Sequence, residues 1–316
     1  MSVFVSTIDQ MAFLLFLIVI GYIITKLNVI SSSAAGILSK LENTIFIPAL
    51  VLGTFMNNFT IKRIGVAGQY FLVGFVVILI SIPVAIVVSK LFTKDDYICK
   101  IYTYGLSFSN FGFMGNAVVK ALFPDVFMDY LIFVLPFWIM IYMWGVPALL
   151  IPSDKTKKSL LSRIKPLLNP MFIAMIIGML IGVSGITIPS FLSNSVTTLG
   201  DCMSPIAMLL TGITVASIDL KKTFTNVPVY LLSIIRLIVF PLLFTVILIF
   251  VDIPYGLALC ALCSLAMPLG LNTIVVPSAY GKDTSVAAGM ALISHLLSCV
   301  TIPIVFMIFD YIINGG

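Results

Sequence analysis

Long apolar stretches with almost no charge recur from one end of this 316-residue chain to the other. A helix that spans a membrane needs about 20 such residues. Hydrophobic residues make up 61% of the chain and charged residues only 9%, whereas a soluble domain carries about 25% charged residues. Such a chain cannot cover a surface that faces water. We therefore predict an all-α integral membrane protein whose main partner is the lipid bilayer, with no nucleic-acid partner despite the net charge of +5.

The apolar stretches and the breakers between them predict ten transmembrane helices. Polar segments separate them, and the most polar one, the basic stretch 154–168, divides the chain into two halves of five spans each. Because five is odd, the two halves must be inverted relative to each other in the membrane. The predicted spans are residues 8–27, 33–55, 64–92, 98–122, 127–151, 169–186, 192–217, 227–251, 255–280 and 285–313.

Positive charge sets the predicted orientation. Cytoplasmic loops carry an excess of Lys and Arg, and the N-terminus must lie outside if the basic stretch is to lie inside. Only Lys62, Arg63 and Lys120 then remain on the outer side. We therefore predict a multi-pass protein of the plasma membrane with an external N-terminus and a cytoplasmic central loop.

Two of the spans are interrupted by residues that disfavour a regular apolar helix. The fourth span carries Phe-Ser-Asn-Phe-Gly-Phe-Met-Gly-Asn at 108–116, and the ninth carries Ala-Met-Pro-Leu-Gly-Leu-Asn-Thr at 266–273. Irregular backbone is tolerated at membrane depth only where it is buried in protein or lines a wet cavity. Interruptions in corresponding places of two repeats indicate a transporter binding site. The predicted substrate-binding residues are Asn110, Gly112, Gly115, Asn116, Pro268, Gly270 and Asn272.

The chemistry of a broken helix indicates the sign of the ligand. The N-terminus of a restarting helix carries roughly half a positive charge, and its free N–H groups favour an anion such as a carboxylate. Asparagine amides supply further donors and acceptors. The alternative is that the glycines only allow close helix packing. The paired positions of Asn110, Asn116, Pro268 and Asn272 favour the binding site.

Two ionisable residues inside spans are candidate coupling or charge partners. Arg236 in span eight could bind a substrate carboxylate, but it could also reach the inner surface or brace the helix bundle. His295 in span ten could carry a coupling proton, but it could also be a structural, hydrogen-bonded histidine. Glu42 and Asp201 are expected at the membrane interfaces.

Other classes of function lack the residues that they need. Paired carboxylates at mid-membrane, which a sodium/proton antiporter requires, do not occur in the sequence. An intramembrane enzyme would need a nucleophile with its base or a metal cluster, and the chain has one histidine. We therefore predict no enzyme activity, no catalytic residue, no metal and no cofactor.

An ordered set of short motifs runs through nearly the whole chain and resembles one family. The motifs are Gly21-Tyr22, Pro48-Ala49-Leu50, Asn110-Phe111-Gly112-Phe113-Met114-Gly115, Asn169-Pro170, Pro205-Ile206-Ala207-Met208 with Gly212, Pro268 with Asn272, Tyr280-Gly281, Ile293-Ser294 and Ile302-Pro303. In these the chain resembles the auxin efflux carrier family of bacterial permeases and plant PIN-type carriers. One position departs from the pattern, because Ala117 stands where the family usually has a proline.

The resemblance implies two inverted five-helix repeats with crossing helices four and nine, as in bile-acid/sodium symporters. It implies scaffold helices in 1–60 and 169–222, through which the family forms homodimers. It also implies transport-domain helices in 61–153 and 223–316. Substrates in the family are organic anions, either auxin or small carboxylates such as malate and malonate.

The sequence and the resemblance together predict a secondary transporter of a small organic anion, bound at the crossing of spans four and nine and moved by alternating access. The alternative is a sodium- or proton-coupled symporter or exchanger of the same fold. The sequence leaves the substrate, the direction of transport and the coupling open.

Overall fold

The computed structural model describes residues 3–151, 168–216, 226–251 and 253–314. The predicted basic loop, 154–168, lies outside the described residues except for Leu168. Helices are the regular elements of the described ranges. In chain order they are α1 (Val3–Lys26), α2 (Ala34–Asn58), α3 (Ile61–Phe92), α4 (Asp96–Ser107), α5 (Phe111–Leu122), α6 (Pro124–Leu150), α7 (Pro170–Ser184), α8 (Ser190–Ala216), α9 (Val227–Leu248), α10 (Tyr255–Ala266), α11 (Asn272–Ala279) and α12 (Ser285–Asn314).

Helices occupy all ten predicted spans, and the fourth and ninth spans each consist of two helices. Seven helices of the described ranges are long and apolar enough to cross a membrane. Helices α5, α7 and α10 are apolar but shorter. The all-helical integral membrane fold is thereby confirmed, whereas the count of ten crossings stays a prediction.

Side-chain caps explain where two of the helices begin. The carboxylate of Asp95 accepts a hydrogen bond of 2.8 Å from the Ile98 N–H at the start of α4. The side-chain oxygen of Asn169 accepts one of 3.1 Å from the Phe172 N–H at the start of α7, where Pro170 takes the first helical position. Both arrangements satisfy N–H groups that have no partner within the helix.

Glycines bring the helices α1 and α8 into direct backbone contact. A Cβ atom on Gly21 would lie 2.3 Å from the Leu209 carbonyl oxygen, and one on Gly212 would lie 2.0 Å from the Ile18 carbonyl oxygen. Small residues of this kind mark helix interfaces in membranes. Helices α2 and α7 meet similarly, since a Cβ on Gly182 would lie 2.7 Å from the Phe55 carbonyl oxygen. The helices of the predicted scaffold thus pack on one another, while the division into two domains stays a prediction.

The interfacial position expected for Glu42 stays a prediction, but its side chain does not face lipid headgroups or water. Its side chain is fully buried in a wide helical turn, 42–46, within α2. This turn packs against α7 and α8, which cover it on the side where the sequence alone would allow lipid headgroups or water. Neither carboxylate oxygen of Glu42 has a hydrogen-bond partner within the described residues.

Candidate functional site

The two interrupted spans meet at their breaks. Helix α4 ends at Ser107 and helix α10 ends at Ala266. Beyond these ends, Ser109 and Leu269 pair as a short antiparallel bridge. The Asn110 N–H donates to the Pro268 carbonyl at 2.7 Å. The backbone groups freed by one break are therefore satisfied in part by the other, as a break inside a membrane requires.

The first break is shorter than the motif that predicted it. Residues 108–110 are not helical, but residues 111–115 form a wide, π-helical turn. In this turn the Asn110 carbonyl accepts hydrogen bonds from the Met114 N–H at 3.0 Å and from the Gly115 N–H at 2.9 Å. Asn116 therefore lies within α5 and not in the break. Ala117 follows it in the same helix, so the position where the family has a proline comes after the restart. This break therefore forms without a proline of its own.

Arg236 contacts the C-terminal ends of α4 and α10, the first helix of each interrupted span. Its guanidinium is fully buried and donates to the carbonyls of Leu106 at 2.9 Å, Ser264 at 3.0 Å and Met267 at 3.4 Å. The C-terminus of a helix carries unsatisfied carbonyls and a partial negative charge, so one cation stabilises both ends. Of the alternatives left open for Arg236, these contacts favour bracing of the bundle, and full burial excludes a side chain that reaches the inner surface.

The N-terminal ends of α5 and α11, the second helix of each interrupted span, border one small cavity. Helix α5 begins at Phe111 and helix α11 begins at Asn272, and the first N–H groups of any helix have no partner within it. Of the predicted site residues, Asn110, Gly112, Gly270 and Asn272 line this cavity. Its volume is about 20 Å³, which is room for about one water molecule. We call it the crossing cavity.

Hydrogen bonds to other side chains hold the two lining asparagines in place. The Asn110 amide nitrogen lies 3.0 Å from His295 Nε2, and His295 Nδ1 lies 2.7 Å from the Ala291 carbonyl oxygen. The Asn272 amide donates to the Tyr104 hydroxyl at 3.0 Å. His295 thus contacts a lining residue without lining the cavity itself, and so stands one layer behind the site.

The other predicted site residues lie around the crossing but not in its cavity. Pro268 contributes its carbonyl to the bridge. Gly115 gives room to Tyr130, because a Cβ at position 115 would lie 2.2 Å from the Tyr130 hydroxyl oxygen. Asn116 lines a second cavity of about 380 Å³ next to Lys120 and Asp201. The Asn116 side-chain oxygen is buried without a hydrogen-bond partner in the described part of the chain.

Two of the three cations predicted on the outer side line one larger cavity. Arg63 and Lys120 border a space of about 570 Å³. Arg63 pairs with Asp129 at 3.0 Å, and Lys120 pairs with Asp201 at 2.6 Å. The Asp201 side chain is 58% exposed, which agrees with its expected interfacial position. We call this space the outer cavity, after the predicted orientation.

Sequence reasoning missed three supports of the crossing. The Tyr130 hydroxyl donates to the Phe111 carbonyl at 3.1 Å, and the Ser294 hydroxyl accepts from the Leu269 N–H at 3.2 Å. The Trp138 ring lines the crossing cavity and contacts Gly112, where an added Cβ would lie 2.6 Å from the ring. Only Ser294 gave a signal, as a polar residue within the apolar tenth span. A Tyr or Trp in an apolar span is too common to indicate a role.

A comparison with known families gives a match over most of the chain. The model of a family described as membrane transport protein matches residues 6–306, a range that includes both breaks, Arg236 and His295. A search of curated proteins gave no significant match.

Proposed function

Because the chain belongs to the auxin efflux carrier family of membrane transport proteins, we propose that it is a secondary transporter of a small organic anion, such as a carboxylate or an auxin-like acid. The family consists of transporters and not of enzymes. What the family leaves open is the substrate, the place where it binds and the way in which its transport is driven.

One observation carries the anion proposal. Two helix N-termini and the amide side chains of Asn110 and Asn272 converge on the crossing cavity. Helix N-termini favour negative charge, and no carboxylate is among the described residues that line this cavity. This absence of lining carboxylates also argues against an exchanger that binds only cations there.

The size of the cavities supports alternating access. The crossing cavity, at about 20 Å³, is too small for a carboxylic acid, whereas the outer cavity and the cavity beside Asn116 are much larger. A substrate can therefore enter only when the helices around the crossing move. The Lys120–Asp201 pair joins α5 of the proposed transport domain to α8 of the proposed scaffold, so this pair breaks when the two domains slide past each other.

The remaining parts of the proposal rest on the charge distribution and on the family. The N-terminus lies outside and the basic loop is cytoplasmic, in the plasma membrane. Two copies form a homodimer through the scaffold helices α1, α2, α7 and α8.

The test is flux into proteoliposomes that contain the purified protein, measured with radiolabelled malate, malonate and indole-3-acetate. The variants are Asn110→Ala and Asn272→Ala, and the control is Asn194→Ala, an exposed asparagine on α8. Loss of a hydrogen bond to a charged group costs about 1.5–3 kcal/mol, so each site variant should reduce flux by about tenfold or more. The control should keep the flux of the native protein. Equal flux in all four proteins would show that the anion does not bind at the crossing. Absence of flux for every probe acid in the native protein would contradict the proposed function.

A further inference from the structure

His295 and Asn110 form a hydrogen-bonded pair with only two consistent proton arrangements. Nδ1 of His295 lies 2.7 Å from a carbonyl oxygen, which can only accept, so Nδ1 must carry a proton. In a neutral ring Nε2 is then an acceptor, and it takes a hydrogen bond from the Asn110 amide nitrogen at 3.0 Å. This assignment leaves the Asn110 side-chain oxygen to point away from the ring.

The second arrangement follows if Nε2 also binds a proton. The charged ring then donates from both nitrogens and can no longer face the NH₂ group of Asn110. A half-turn of the amide, which leaves its shape unchanged, places the Asn110 oxygen towards Nε2 and the NH₂ group away from it. The protonation state of His295 therefore fixes whether Asn110 offers an acceptor or a donor on its other side.

The other side of Asn110 borders the crossing cavity. We propose that His295 is the proton site of a proton-coupled anion transporter and acts through the orientation of the Asn110 amide. This inference rests on the proposed function, which it extends by naming the coupling ion. His295 is a positioning residue here, because it contacts Asn110 and not the anion.

Binding of an anion in the crossing cavity and binding of a proton to His295 favour the same orientation of the Asn110 amide. An anion in the crossing cavity is repelled by an amide oxygen and binds an NH₂ group, and the NH₂ group faces the cavity when His295 is protonated. Binding of the anion therefore strengthens binding of the proton, and the effect is reciprocal. A monoanion and the proton on Nε2 cross together with no net charge.

The charges around α12 make proton binding conditional on the anion. The charged side chains on the helices packed against α12 are Asp9, Lys26, Asp96, Lys100, Lys120, Asp201 and Arg236, and Arg236 alone among them is buried. On α12 itself, Asp310 is about four turns from His295. No buried carboxylate on these helices is thus placed to balance a second buried cation in addition to Arg236, whose guanidinium binds the same crossing. The substrate carboxylate supplies that balance.

The neutral titratable groups near the crossing do not take the role of His295 as the proton site. Tyr104 on α4 bonds to Asn272, and Cys260 and Cys263 on α10 are buried. The Cys299 thiol donates to the backbone carbonyl of His295 and not to its ring.

The first test observes the ring directly, because His295 is the only histidine of the chain. Full-length protein labelled with ¹⁵N-histidine in lipid bilayers gives one pair of ring nitrogen signals. At pH 7 without ligand we expect the neutral ring with its proton on Nδ1. Addition of malonate or indole-3-acetate, whichever gives flux, should convert the ring to the doubly protonated form in the native protein and not in Asn110→Ala. A neutral ring with its proton on Nε2, or a ring that stays neutral when the anion is saturating, overturns the proposal.

The second test measures protons and anions together in proteoliposomes with a pH-sensitive dye inside and the membrane potential clamped. In the native protein an inward anion gradient should acidify the interior, and anion affinity should fall by up to ~10-fold per unit of rising pH, the limit for one linked proton. His295→Gln keeps an amide that can pair with Asn110 but cannot titrate, so anion flux should persist without acidification or pH dependence. His295→Ala, which lacks that amide, should transport less than His295→Gln.

The outcomes separate the two proposals. Anion flux with no proton movement, or flux that requires sodium and ignores pH, overturns the role of His295 and leaves the anion transporter intact. Acidification that persists in His295→Gln also overturns it. Absence of binding and flux for every probe acid contradicts the proposed function, and it also contradicts the proton coupling that rests on that function.

Discussion

The two breaks of the crossing reach the same result with different chemistry. The break after α10 is favoured by its own residues, since Pro268 has no N–H group to donate within a helix and the Thr273 hydroxyl bonds to the Gly270 carbonyl at 2.9 Å. The break after α4 has no proline. It depends on two groups of other segments, the Pro268 carbonyl and the Tyr130 hydroxyl. It also depends on the absence of side chains at Gly112 and Gly115, which lets other segments pack closely there. The comparison teaches that one break is favoured by its own sequence, with further support from Arg236 and Ser294, and the other is imposed by the fold. We call the first the intrinsic break and the second the imposed break.

Arg236 is the element that the two breaks share, and its removal should have the largest effect. Arg236→Met leaves buried carbonyls at the ends of both α4 and α10 without their donor, at a cost of about 1–3 kcal/mol for each. We expect a large fall in the melting temperature of the purified protein, measured in detergent. The control Lys100→Met removes an ion pair with the exposed carboxylate of Asp96, which is worth about 0–1 kcal/mol. Similar melting temperatures for the two variants would show that the arginine does not brace the crossing.

Added methyl groups should damage the imposed break more than the intrinsic one. A Cβ on Gly115 would lie 2.2 Å from the Tyr130 hydroxyl, whereas one on Gly270 would lie 3.2 Å from the nearest atom, the Phe108 carbonyl oxygen. Overpacking typically costs about 1–3 kcal/mol, so Gly115→Ala should lose stability and flux and Gly270→Ala should lose less. Because the hydroxyl is the obstacle, Gly115→Ala combined with Tyr130→Phe should recover part of the stability. A larger loss in Gly270→Ala would reverse the comparison.

Single supporting hydroxyls should matter unequally at the two breaks. Ser294→Ala leaves the buried Leu269 N–H without its acceptor, at about 1–3 kcal/mol. Tyr130→Phe removes one donor from the Phe111 carbonyl, which still accepts from the Asn116 N–H. We therefore expect thermal unfolding to show the greater loss for Ser294→Ala. Equal losses would mean that Tyr130 carries more of the first break than these contacts indicate.

The smallest effect is expected at the Tyr104 hydroxyl, which binds the Asn272 amide and belongs to a residue that lines the same cavity. Tyr104→Phe removes one hydrogen bond to that amide, which is worth about 0.5–1.5 kcal/mol. Stability should change little, while anion affinity should fall by less than in Asn272→Ala because the amide itself remains. An affinity loss as large as that of Asn272→Ala would make the tyrosine a direct ligand.

Much of this architecture could be predicted from the sequence. The apolar stretches locate the helices, and Pro268, Gly270 and Asn110 mark both breaks, because lipid leaves few reasons for such residues at mid-span. The sequence could not separate the roles of neighbouring motif residues. Whether Asn116 lies in the break or in the helix depends on the wide turn at 111–115, and that turn depends on the carbonyl of Asn110.

Contacts between distant segments could not be predicted. Arg236 meets α4 and α10 across long separations in the chain, so a buried arginine in an apolar span indicates a partner but not which one. Glu42 illustrates the same limit, because the packing of α7 and α8 over α2 buries a carboxylate whose position near Lys40 predicts an interface.

The central claim is that the carboxylate of the substrate lies between the N-termini of α5 and α11. Solid-state NMR can test it by dipolar dephasing between the ¹³C-carboxylate of the probe acid with the largest flux and ¹⁵N-labelled asparagine side chains of the protein in bilayers. We predict dephasing that corresponds to hydrogen-bonded groups, with nitrogen and oxygen about 3 Å apart. The dephasing should weaken in Asn110→Ala and in Asn272→Ala and persist in Asn194→Ala. Saturably bound acid with the same dephasing in all three variants would place the anion elsewhere and contradict the account.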